Sequence, residues 1–197
     1  MIKAIFFDVG GVIIEEKFKQ AIIQYEKEFN IPRGVFYKIV HNHQGWRDFT
    51  LGKISEKKYL KLCKKNSSEY IFNEKRYIKL VEEFMEPKAE VVDYIKFLSK
   101  NYVIGVISNN PKEWFDRFIV KAKLENIIKI KAVSGYVHIR KPDKKIFQIA
   151  LKQANANPQE SIYIDDRGDR IDGAKKLGIN IIIFDGDIIK LKEKIKR

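Results

Sequence analysis

Short apolar segments of strand length alternate along most of the chain with longer segments of helical periodicity. The apolar segments are rich in β-branched or aromatic residues, and they are Ile2–Phe7, Tyr102–Ile107, Ile127–Val133, Ser161–Ile164 and Ile179–Phe184. Continuous apolar runs of this length are typical of strands buried on both faces. Helical patterns follow them at Pro87–Lys100, Lys112–Lys123, Lys144–Ala154 and Arg170–Leu177. The alternation predicts βαβ units, and therefore an α/β fold with a parallel sheet and helices on both of its faces.

The pattern between residues 15 and 85 is helical only. The predicted helices of this part are Phe18–Phe29, Gly34–His41, Ser55–Lys65 and Asn73–Phe84, with Ser55 as an N-cap. These bounds predict an α/β core domain of residues 1–14 and 86–197 and a helical-bundle cap domain of residues 15–85. Ligands of open α/β sheets bind at the carboxyl ends of the strands, where this insertion begins, so we expect the cap to cover the site.

Composition is that of an ordinary globular chain, apart from its charge. Hydrophobic residues make up 45% and charged residues 33%, and 39 Lys and Arg against 26 Asp and Glu give a net charge of +13. Such a charge attracts polyanions, which keeps a nucleic-acid partner open as an alternative. The lysines are scattered through every segment without an aromatic and basic ribbon, so we do not expect nucleic acid to be the partner. A positive surface would equally attract phosphorylated substrates.

Cysteine content and the lack of long apolar runs favour a cytoplasmic protein. The single cysteine, Cys63, excludes an intrachain disulfide framework, and its apolar neighbours predict a buried thiol in a helix. The apolar run at the N-terminus is too short for a signal peptide, and no segment approaches the roughly 18 to 20 apolar residues of a membrane span. We expect no membrane association, and the oligomeric state is left open.

Carboxylates follow two of the predicted strands directly. Asp8 lies between an apolar strand and the pair Gly10-Gly11, where backbone N–H groups can approach an anion closely. Asp165 and Asp166 follow the strand that ends in Ile164, and adjacent carboxylates in a desolvated place require a cation to balance them. Oxygen ligands on a rigid strand end suit magnesium. The simpler interpretation of each motif is a turn, and it is least satisfactory for the Asp pair.

Neutral and positive groups follow two other strands. Ser108 and Asn109 offer hydrogen-bond donors to phosphoryl oxygens, although Ser108 could instead cap the helix that begins near Lys112. Lys141 precedes Pro142 and a predicted helix N-cap at Asp143. A lysine fixed beside Asp8 would neutralise phosphate charge and keep that carboxylate ionised, whereas most lysines in loops are only solvated charges.

Taken in order, these motifs resemble those of the haloacid dehalogenase (HAD) superfamily of phosphohydrolases, and the resemblance covers nearly the whole chain. It includes residues 46–55, which look like part of the helical cap of the subfamily that inserts its cap after the first strand. The resemblance implies a Rossmann-like core and a magnesium-dependent phosphatase of a small phosphorylated metabolite. The motifs that carry it are Asp8, Ser108, Lys141-Pro142-Asp143 and Asp165-Asp166 with Gly173-Ala174.

The resemblance also implies a role for each residue of the motifs. Asp8 would be the nucleophile that forms an aspartyl-phosphate. The magnesium ligands would be Asp8, the carbonyl of Gly10 and Asp166, with Asp165 binding directly or through water. The phosphoryl oxygens would be bound by Ser108, Asn109 and Lys141, with the N–H of Gly11 nearby. In the cap, Arg47 could bind a second anionic group of the substrate, or it could be a solvated charge.

Two positions depart from the pattern of the superfamily. Gly10 stands where typical phosphatases carry a second Asp that protonates the leaving group, a contribution of about 10²–10⁴ in rate. Its absence favours good leaving groups or an acid from elsewhere in the chain. Arg170 stands where the superfamily often has Asn. Two alternatives therefore stay open: a 2-haloacid dehalogenase, which needs no metal, and a catalytically weak member that binds a polyanion or a protein.

Overall fold

Five parallel strands form the central sheet of the protein. The computed structural model describes residues 1–67 and 69–196, and its sheet has the order β3-β2-β1-β4-β5. Each pair of neighbouring strands is parallel. The predicted Rossmann-like α/β fold is therefore confirmed. The strands are β1 (Ala4–Phe7), β2 (Val103–Ser108), β3 (Ile130–Val133), β4 (Ser161–Asp165) and β5 (Asn180–Ile183).

The described part of the chain between residues 15 and 85 contains five helices. They are α1 (Phe18–Glu28), α2 (Val35–Val40), α3 (Gln44–Thr50), α4 (Glu56–Asn66) and α5 (Glu74–Phe84). All except α3 match predicted helices to within one residue at each end. The Ser55 side chain accepts the N–H of Lys58 as the predicted N-cap, and Cys63 is buried within α4 as predicted. The division of the chain into a core and a cap domain stays a prediction.

The other helices alternate with the strands. They are α6 (Ala89–Leu98), α7 (Lys112–Lys121), α8 (Ser134–Val137), α9 (Lys144–Ala154), α10 (Asp172–Leu177) and α11 (Ile188–Lys196). The sequence pattern did not predict α8 or α11. The helix predicted to begin at Pro87 begins two residues later, because Pro87 forms an isolated β-bridge with Ile14 and so continues the extended chain. Asp143 is the predicted N-cap of α9, and it accepts the N–H of Lys145 at 2.9 Å.

Hydrophobic side chains cover both faces of the sheet, and β1 lies at its centre. Successive residues of a strand point to opposite faces, and Ile5 and Phe7 belong to a different buried cluster from Ala4 and Phe6. The first cluster includes residues of α1, α6 and α7, whereas the second includes residues of α9 and α10. Because both faces of β1 are buried, its backbone is rigid up to the residue that follows it, which is Asp8.

One strand differs from the expectation that all five are buried on both faces. In β5, Asn180 and Ile183 are exposed and only Ile182 is buried. The reason is its position at the edge of the sheet, where one side has no neighbouring strand. Among the residues that the structure describes, none of the helices has both the length and the apolar character needed to cross a membrane.

Candidate active site

The charged and polar residues of the sequence motifs lie together at the carboxyl edge of the sheet. Asp8 follows β1, Ser108 ends β2, and Asp165 ends β4, with Asp166 directly after it. Lys141 lies between α8 and α9. The connections run outwards from β1 to β2 and β3 on one side and then to β4 and β5 on the other, so the strand order reverses beside β1. A crevice at such a reversal is the usual ligand site of this architecture.

Lys141 forms the positive centre of the site. Its side chain is fully buried, and its Nζ lies 2.7 Å from Asp8 Oδ2 and 2.8 Å from Asp165 Oδ2. Its backbone is held by the side-chain amide of Asn109, which accepts the N–H of Lys141 at 2.8 Å and donates to its carbonyl at 3.2 Å. We expected Asn109 to bind a phosphoryl oxygen directly. In the structure its side-chain amide instead positions Lys141.

Tyr163 is a member of this network that the motifs did not identify. Its hydroxyl contacts Asp165 Oδ2 and lies 2.7 Å from the Nζ of Lys141. Burial, together with the charges of Asp8 and Asp165, raises the pKa of the Tyr163 hydroxyl well above its usual value, so it stays protonated. The signal in the sequence is its spacing, because Tyr163 and Asp165 are two apart on β4 and therefore point to the same face.

The two oxygens of the Asp8 carboxylate have different surroundings. Oδ1 accepts the N–H of Val9 at 2.7 Å and lies 2.7 Å from the hydroxyl of Ser108. Oδ2 is close to Lys141, but that approach lacks hydrogen-bond geometry, and no other partner is found for Oδ2 among the described residues. Ser108 therefore orients the carboxylate rather than capping α7, whose N-cap is Pro111. One buried oxygen of Asp8 remains available to a ligand.

Three carboxylates of this edge could hold a cation together. Oxygen atoms of Asp8, Asp165 and Asp166 all lie within 4.8 Å of one another. An octahedral magnesium ion about 2.1 Å from its ligands separates opposite ligand oxygens by about 4 Å, so only small shifts are needed. The buried Oδ1 of Asp166, like the Oδ2 of Asp8, has no hydrogen-bond partner among the described residues. Among the described residues, Lys141 is the one cation in ion-pair contact with these three carboxylates, so a divalent cation fits both the charge and the donor atoms.

Asp166 responds most clearly to this concentration of negative charge. Burial, followed by the charges of Asp8, Glu16 and Asp165, raises the pKa of Asp166 to about 6. Asp165 differs because both of its oxygens are used: Oδ2 contacts Lys141 and Tyr163, and Oδ1 accepts the N–H of Arg167 at 2.8 Å. Asp166 and Asp8 therefore have the better arranged free oxygens for a cation.

Gly11 has a different role from the one expected. We expected its N–H to face a bound anion, but this N–H donates to the carbonyl of Ile14 at 2.9 Å and closes the turn after β1. Its φ of +80° is in the left-handed region, and a Cβ at this position would overlap the carboxylate of Asp166. Glycine is required here because it lets Asp166 approach Asp8.

A small cavity of about 120 Å³ opens over Asp8. Its lining includes Gly10, Ser108 and Asn109, together with the aromatic residues Phe18, Trp46 and Trp114. Its remaining lining includes four ionisable residues, Glu16, His41, Arg140 and Arg170. Arg47 lies outside it, in an adjoining open cleft of about 880 Å³ that Arg140 and Lys141 also line. The cavity has room for a group of the size of a phosphate, and the cleft has room for the remainder of a small molecule.

Comparisons with known proteins agree with this arrangement. The haloacid dehalogenase-like hydrolase family matches residues 2–178 of the chain. The chain is 27% identical to the D-ribitol-5-phosphate phosphatase of Bacteroides thetaiotaomicron, over 90% of this chain and 89% of that protein. It is 32% identical to the glyceraldehyde 3-phosphate phosphatase of Pyrococcus furiosus, over 46% of this chain and 38% of that protein. The (S)-2-haloacid dehalogenase 4A of Burkholderia cepacia is 27% identical over 48% of this chain and 40% of that protein.

The match spans only 18% to 40% of the length of four of the curated relatives. Among solved structures, a HAD family enzyme of Bacteroides thetaiotaomicron in complex with magnesium and inorganic phosphate has the same fold. Its TM-score is 0.79 at 19% identity, over 97% of this chain and 99% of that chain. The ordered motifs, the parallel sheet and the match over residues 2–178 lead to one conclusion: the chain belongs to the haloacid dehalogenase-like hydrolase family.

Proposed function

We propose that the protein is a magnesium-dependent phosphatase that hydrolyses a small phosphorylated metabolite through an aspartyl-phosphate on Asp8. The observation that carries this proposal is the group of three carboxylates, Asp8, Asp165 and Asp166, around one buried lysine. The phosphatases among the relatives support it. The cation site lies beside the Asp8 oxygen that accepts no hydrogen bond. A cation there would offset the repulsion between the Asp8 carboxylate and a phosphate dianion, which suits attack of one on the other.

The Mg²⁺ ligands would be the carboxylates of Asp8 and Asp166 and the backbone carbonyl of Gly10. Asp165 has both oxygens occupied by Lys141, Tyr163 and the N–H of Arg167, which favours binding through water over direct binding. When bound, the ion supplies positive charge to the phosphate and to the attacking carboxylate. The Arg167 N–H and the Tyr163 hydroxyl hold the carboxylate of Asp165 in place, so this carboxylate is oriented before an ion binds.

Asp8 attacks phosphorus with the oxygen that is not hydrogen-bonded to Val9 and Ser108, and the leaving alcohol departs on the opposite side. Lys141 donates to the phosphoryl oxygens, over which the charge of the transferred group is spread, and the Ser108 hydroxyl turns from Asp8 to one of these oxygens when substrate is bound. Asn109 contributes through its two bonds to the Lys141 backbone. Water then hydrolyses the acyl-phosphate and regenerates Asp8. Most of the catalysis on this scheme is positioning and charge neutralisation.

Three arginines suggest that the substrate has a second anionic group. Arg140 lines both the cavity over Asp8 and the adjoining cleft, and its guanidinium donates to the hydroxyl of Thr50 at 2.8 Å. Burial lowers the pKa of Arg140, and the charges of Arg170 and Arg47 lower it further, which indicates that the three guanidinium groups repel one another. A carboxylate or a second phosphate bound among them would relieve that repulsion.

We expect magnesium-dependent release of inorganic phosphate from such substrates. The test is a panel of phosphate esters, paired so that one member of each pair has a second anionic group, assayed with magnesium and with EDTA. We expect activity only with magnesium and a higher kcat/KM for the dianionic member of each pair. Phosphate release that persists in EDTA, or none from any ester, would contradict the proposal. Halide release from 2-chloropropionate in EDTA would support the dehalogenase alternative instead.

The pKa of Asp166 predicts how pH changes both metal binding and stability. Because its pKa is about 6 and a proton competes with the cation, we expect magnesium affinity to fall below pH 6, approaching tenfold per pH unit. In the absence of metal, the stability of the fold changes with pH in the opposite direction to the magnesium affinity. The pKa in the folded protein lies above the ordinary value of 3.8, so the folded state holds more protons between these values, and stability falls as pH rises through this range.

Calorimetric magnesium titrations at pH 5 and pH 7 and thermal unfolding in EDTA at the same two pH values measure these effects. The matched variant is Asp166→Asn, which cannot titrate. In EDTA it should lose less stability than the wild type between pH 5 and pH 7, and it should bind magnesium weakly at both. Equal magnesium affinity of the wild type at the two pH values would contradict the assignment of Asp166 as a ligand.

A further inference from the structure

Glu16 occupies the space into which a side chain at position 10 would project. A Cβ on Gly10 would lie 3.8 Å from both Cγ and Cδ of Glu16, and apart from residues 9 and 11 no other described residue comes within 4 Å of it. That is ordinary van der Waals contact, so the carboxyl group of Glu16 reaches the region where a short acidic side chain at position 10 would be. Residue 10 is the place where the phosphatases that this chain resembles carry their proton donor, and here it is a glycine.

The same carboxyl group faces the reaction site. Glu16 lines the cavity over Asp8 together with Ser108 and Asn109. Its charge is one of the contributions that raise the pKa of Asp166, as expected for a carboxylate close to the cluster. Glu16 is exposed, and no hydrogen bond or ion pair of its carboxylate is found among the described residues. No fixed contact of this kind therefore holds the Glu16 carboxyl group away from the cavity.

The backbone that leads to Glu16 is held firmly. Ile14 forms isolated β-bridges with Gly10 and with Pro87, and the N–H of Glu15 donates to the carbonyl of Glu86 at 2.8 Å. The turn between β1 and Glu16 is therefore closed on itself and tied to the chain before α6. This arrangement returns residue 16 to the side of residue 10, although six positions separate them in sequence.

Two neighbouring groups are less suitable proton donors. Glu15 does not line the cavity over Asp8, and its carboxylate lies 3.7 Å from the ammonium group of Lys17. His41 does line the cavity, but unlike Glu16 it does not come within 4 Å of the position that a Cβ on residue 10 would occupy. Glu16 is the carboxyl group that combines access to the cavity with freedom from other partners.

We propose that Glu16 is the general acid and base of this enzyme and replaces the acid that is missing at position 10, an inference that rests on the phosphatase function proposed above. As the Asp8–phosphorus bond forms and the bond from phosphorus to the leaving oxygen breaks, the Glu16 carboxyl group transfers its proton to that oxygen. In the second step the Glu16 carboxylate takes a proton from the water that attacks phosphorus, and inorganic phosphate and free Asp8 result. Overall one ester and one water give one alcohol and one phosphate.

The experiment compares Glu16→Gln with the matched control Glu15→Gln on two substrates, p-nitrophenyl phosphate and glycerol 2-phosphate. Nitrophenolate is a good leaving group, whereas the alkoxide of glycerol must be protonated as it leaves. We expect Glu16→Gln to lower kcat about 10²–10⁴-fold on glycerol 2-phosphate and less than about tenfold on the aryl ester. The control should behave like the wild type on both. The double variant Gly10→Asp with Glu16→Gln has a carboxylate at position 10 again. Its kcat on glycerol 2-phosphate should be at least about tenfold higher than that of Glu16→Gln alone.

The outcomes separate this inference from the proposed function. If the wild type hydrolyses both esters with magnesium and Glu16→Gln either changes nothing or lowers both rates equally without rescue by Gly10→Asp, Glu16 is not the acid and the phosphatase function stands. An equal loss also reveals a merely structural role, because a misfolded variant does not distinguish leaving groups. If the wild type releases phosphate neither from these two esters nor from any ester of the panel described above, both the function and the role of Glu16 are overturned.

Discussion

Asp8→Asn should reduce phosphate release by at least about 10⁴-fold while leaving the fold intact. The amide is a poor nucleophile, and removal of a nucleophile from a covalent mechanism leaves only the contribution of binding and positioning. The carbonyl oxygen of Asn can still accept from Val9 and Ser108, as Asp8 Oδ1 does at 2.7 Å in both cases. The measurement is kcat/KM with magnesium, together with near-ultraviolet circular dichroism to establish that tertiary packing is retained.

The matched control for this variant is Asp93→Asn, which makes the same chemical change on the exposed surface of α6. Among the described residues, the Asp93 carboxylate has one polar partner, Lys96 at 3.4 Å on the exposed surface, so we expect the activity of Asp93→Asn to equal that of the wild type. Turnover by Asp8→Asn close to the wild-type rate would mean that Asp8 is not the nucleophile. A single turnover in ¹⁸O-labelled water adds a second test. Hydrolysis of an aspartyl-phosphate at phosphorus places the label in inorganic phosphate, whereas a dehalogenase ester places it in Asp8.

The sheet could be predicted because its strands are continuous apolar segments that are separated by helices. The position of the site followed from that prediction, since carboxyl ends of parallel strands share one edge and Asp8, Ser108 and Asp165 each stand at such an end. A strand buried on both faces leaves little freedom to the residue after it. For Asp8 and Asp165, the hydrophobic pattern therefore implied the position of a polar group.

The polar contacts within the site could not be predicted in the same way. Hydrogen-bond partners depend on which group is nearest in space, and neither composition nor periodicity contains that information. Gly11 was expected to bind an anion through its N–H, but Ile14 takes that N–H, and the glycine is needed as room for Asp166. Asn109 is predicted to bind phosphate, and its side-chain amide is directed to the Lys141 backbone.

Helix α3 was not predicted because its formation also depends on contacts that the sequence pattern does not show. The segment of α3 contains Gly45, Trp46 and Thr50, which have low helix propensity, and its buried face is formed by aromatic packing. The ring of Trp46 stacks on the ring of Phe18, with 5.5 Å between their centroids. It also packs against the ring of Trp114 in α7. Such a helix depends on tertiary contacts rather than on local preference. The same aromatic packing places Trp46 over the cavity beside Asp8.

Glu16 shows that a residue distant in sequence can place its side chain where a motif residue would otherwise place one. A search for a second acid near Asp8 in sequence finds Gly10, which predicts good leaving groups or an acid from elsewhere in the chain. The bridges of Ile14 with Gly10 and Pro87 are contacts between main-chain groups, which the side-chain pattern does not indicate. Only the folded turn brings residue 16 next to residue 10. A functional group can therefore be replaced from outside the motif wherever the backbone returns to the same place.

Lys141→Met should reduce both activity and stability by large amounts. Methionine has nearly the shape of lysine but no charge, so the variant leaves Asp8 and Asp165 buried without the ammonium group that lies 2.7 and 2.8 Å from them. Breaking a buried ion pair from one side typically costs about 3–5 kcal/mol of unfolding free energy. Loss of a donor to the phosphoryl oxygens should lower kcat by about 10²–10³-fold. Denaturant unfolding in EDTA and steady-state kinetics measure the two effects.

Lys190→Met is the matched control, since Lys190 also bridges two carboxylates, Asp185 at 3.2 Å and Asp187 at 3.4 Å, but on the exposed surface. Water screens that cluster, so we expect little change in stability and none in activity. The double variant Lys141→Met with Asp165→Asn separates the two effects. Asp165→Asn removes one of the two buried carboxylate charges that lack a partner in Lys141→Met, so part of the lost stability should return. Activity should stay low, because the phosphoryl oxygens still lack their cationic donor. If Lys141→Met unfolds at the wild-type denaturant concentration, Lys141 is not the group that balances the buried carboxylates.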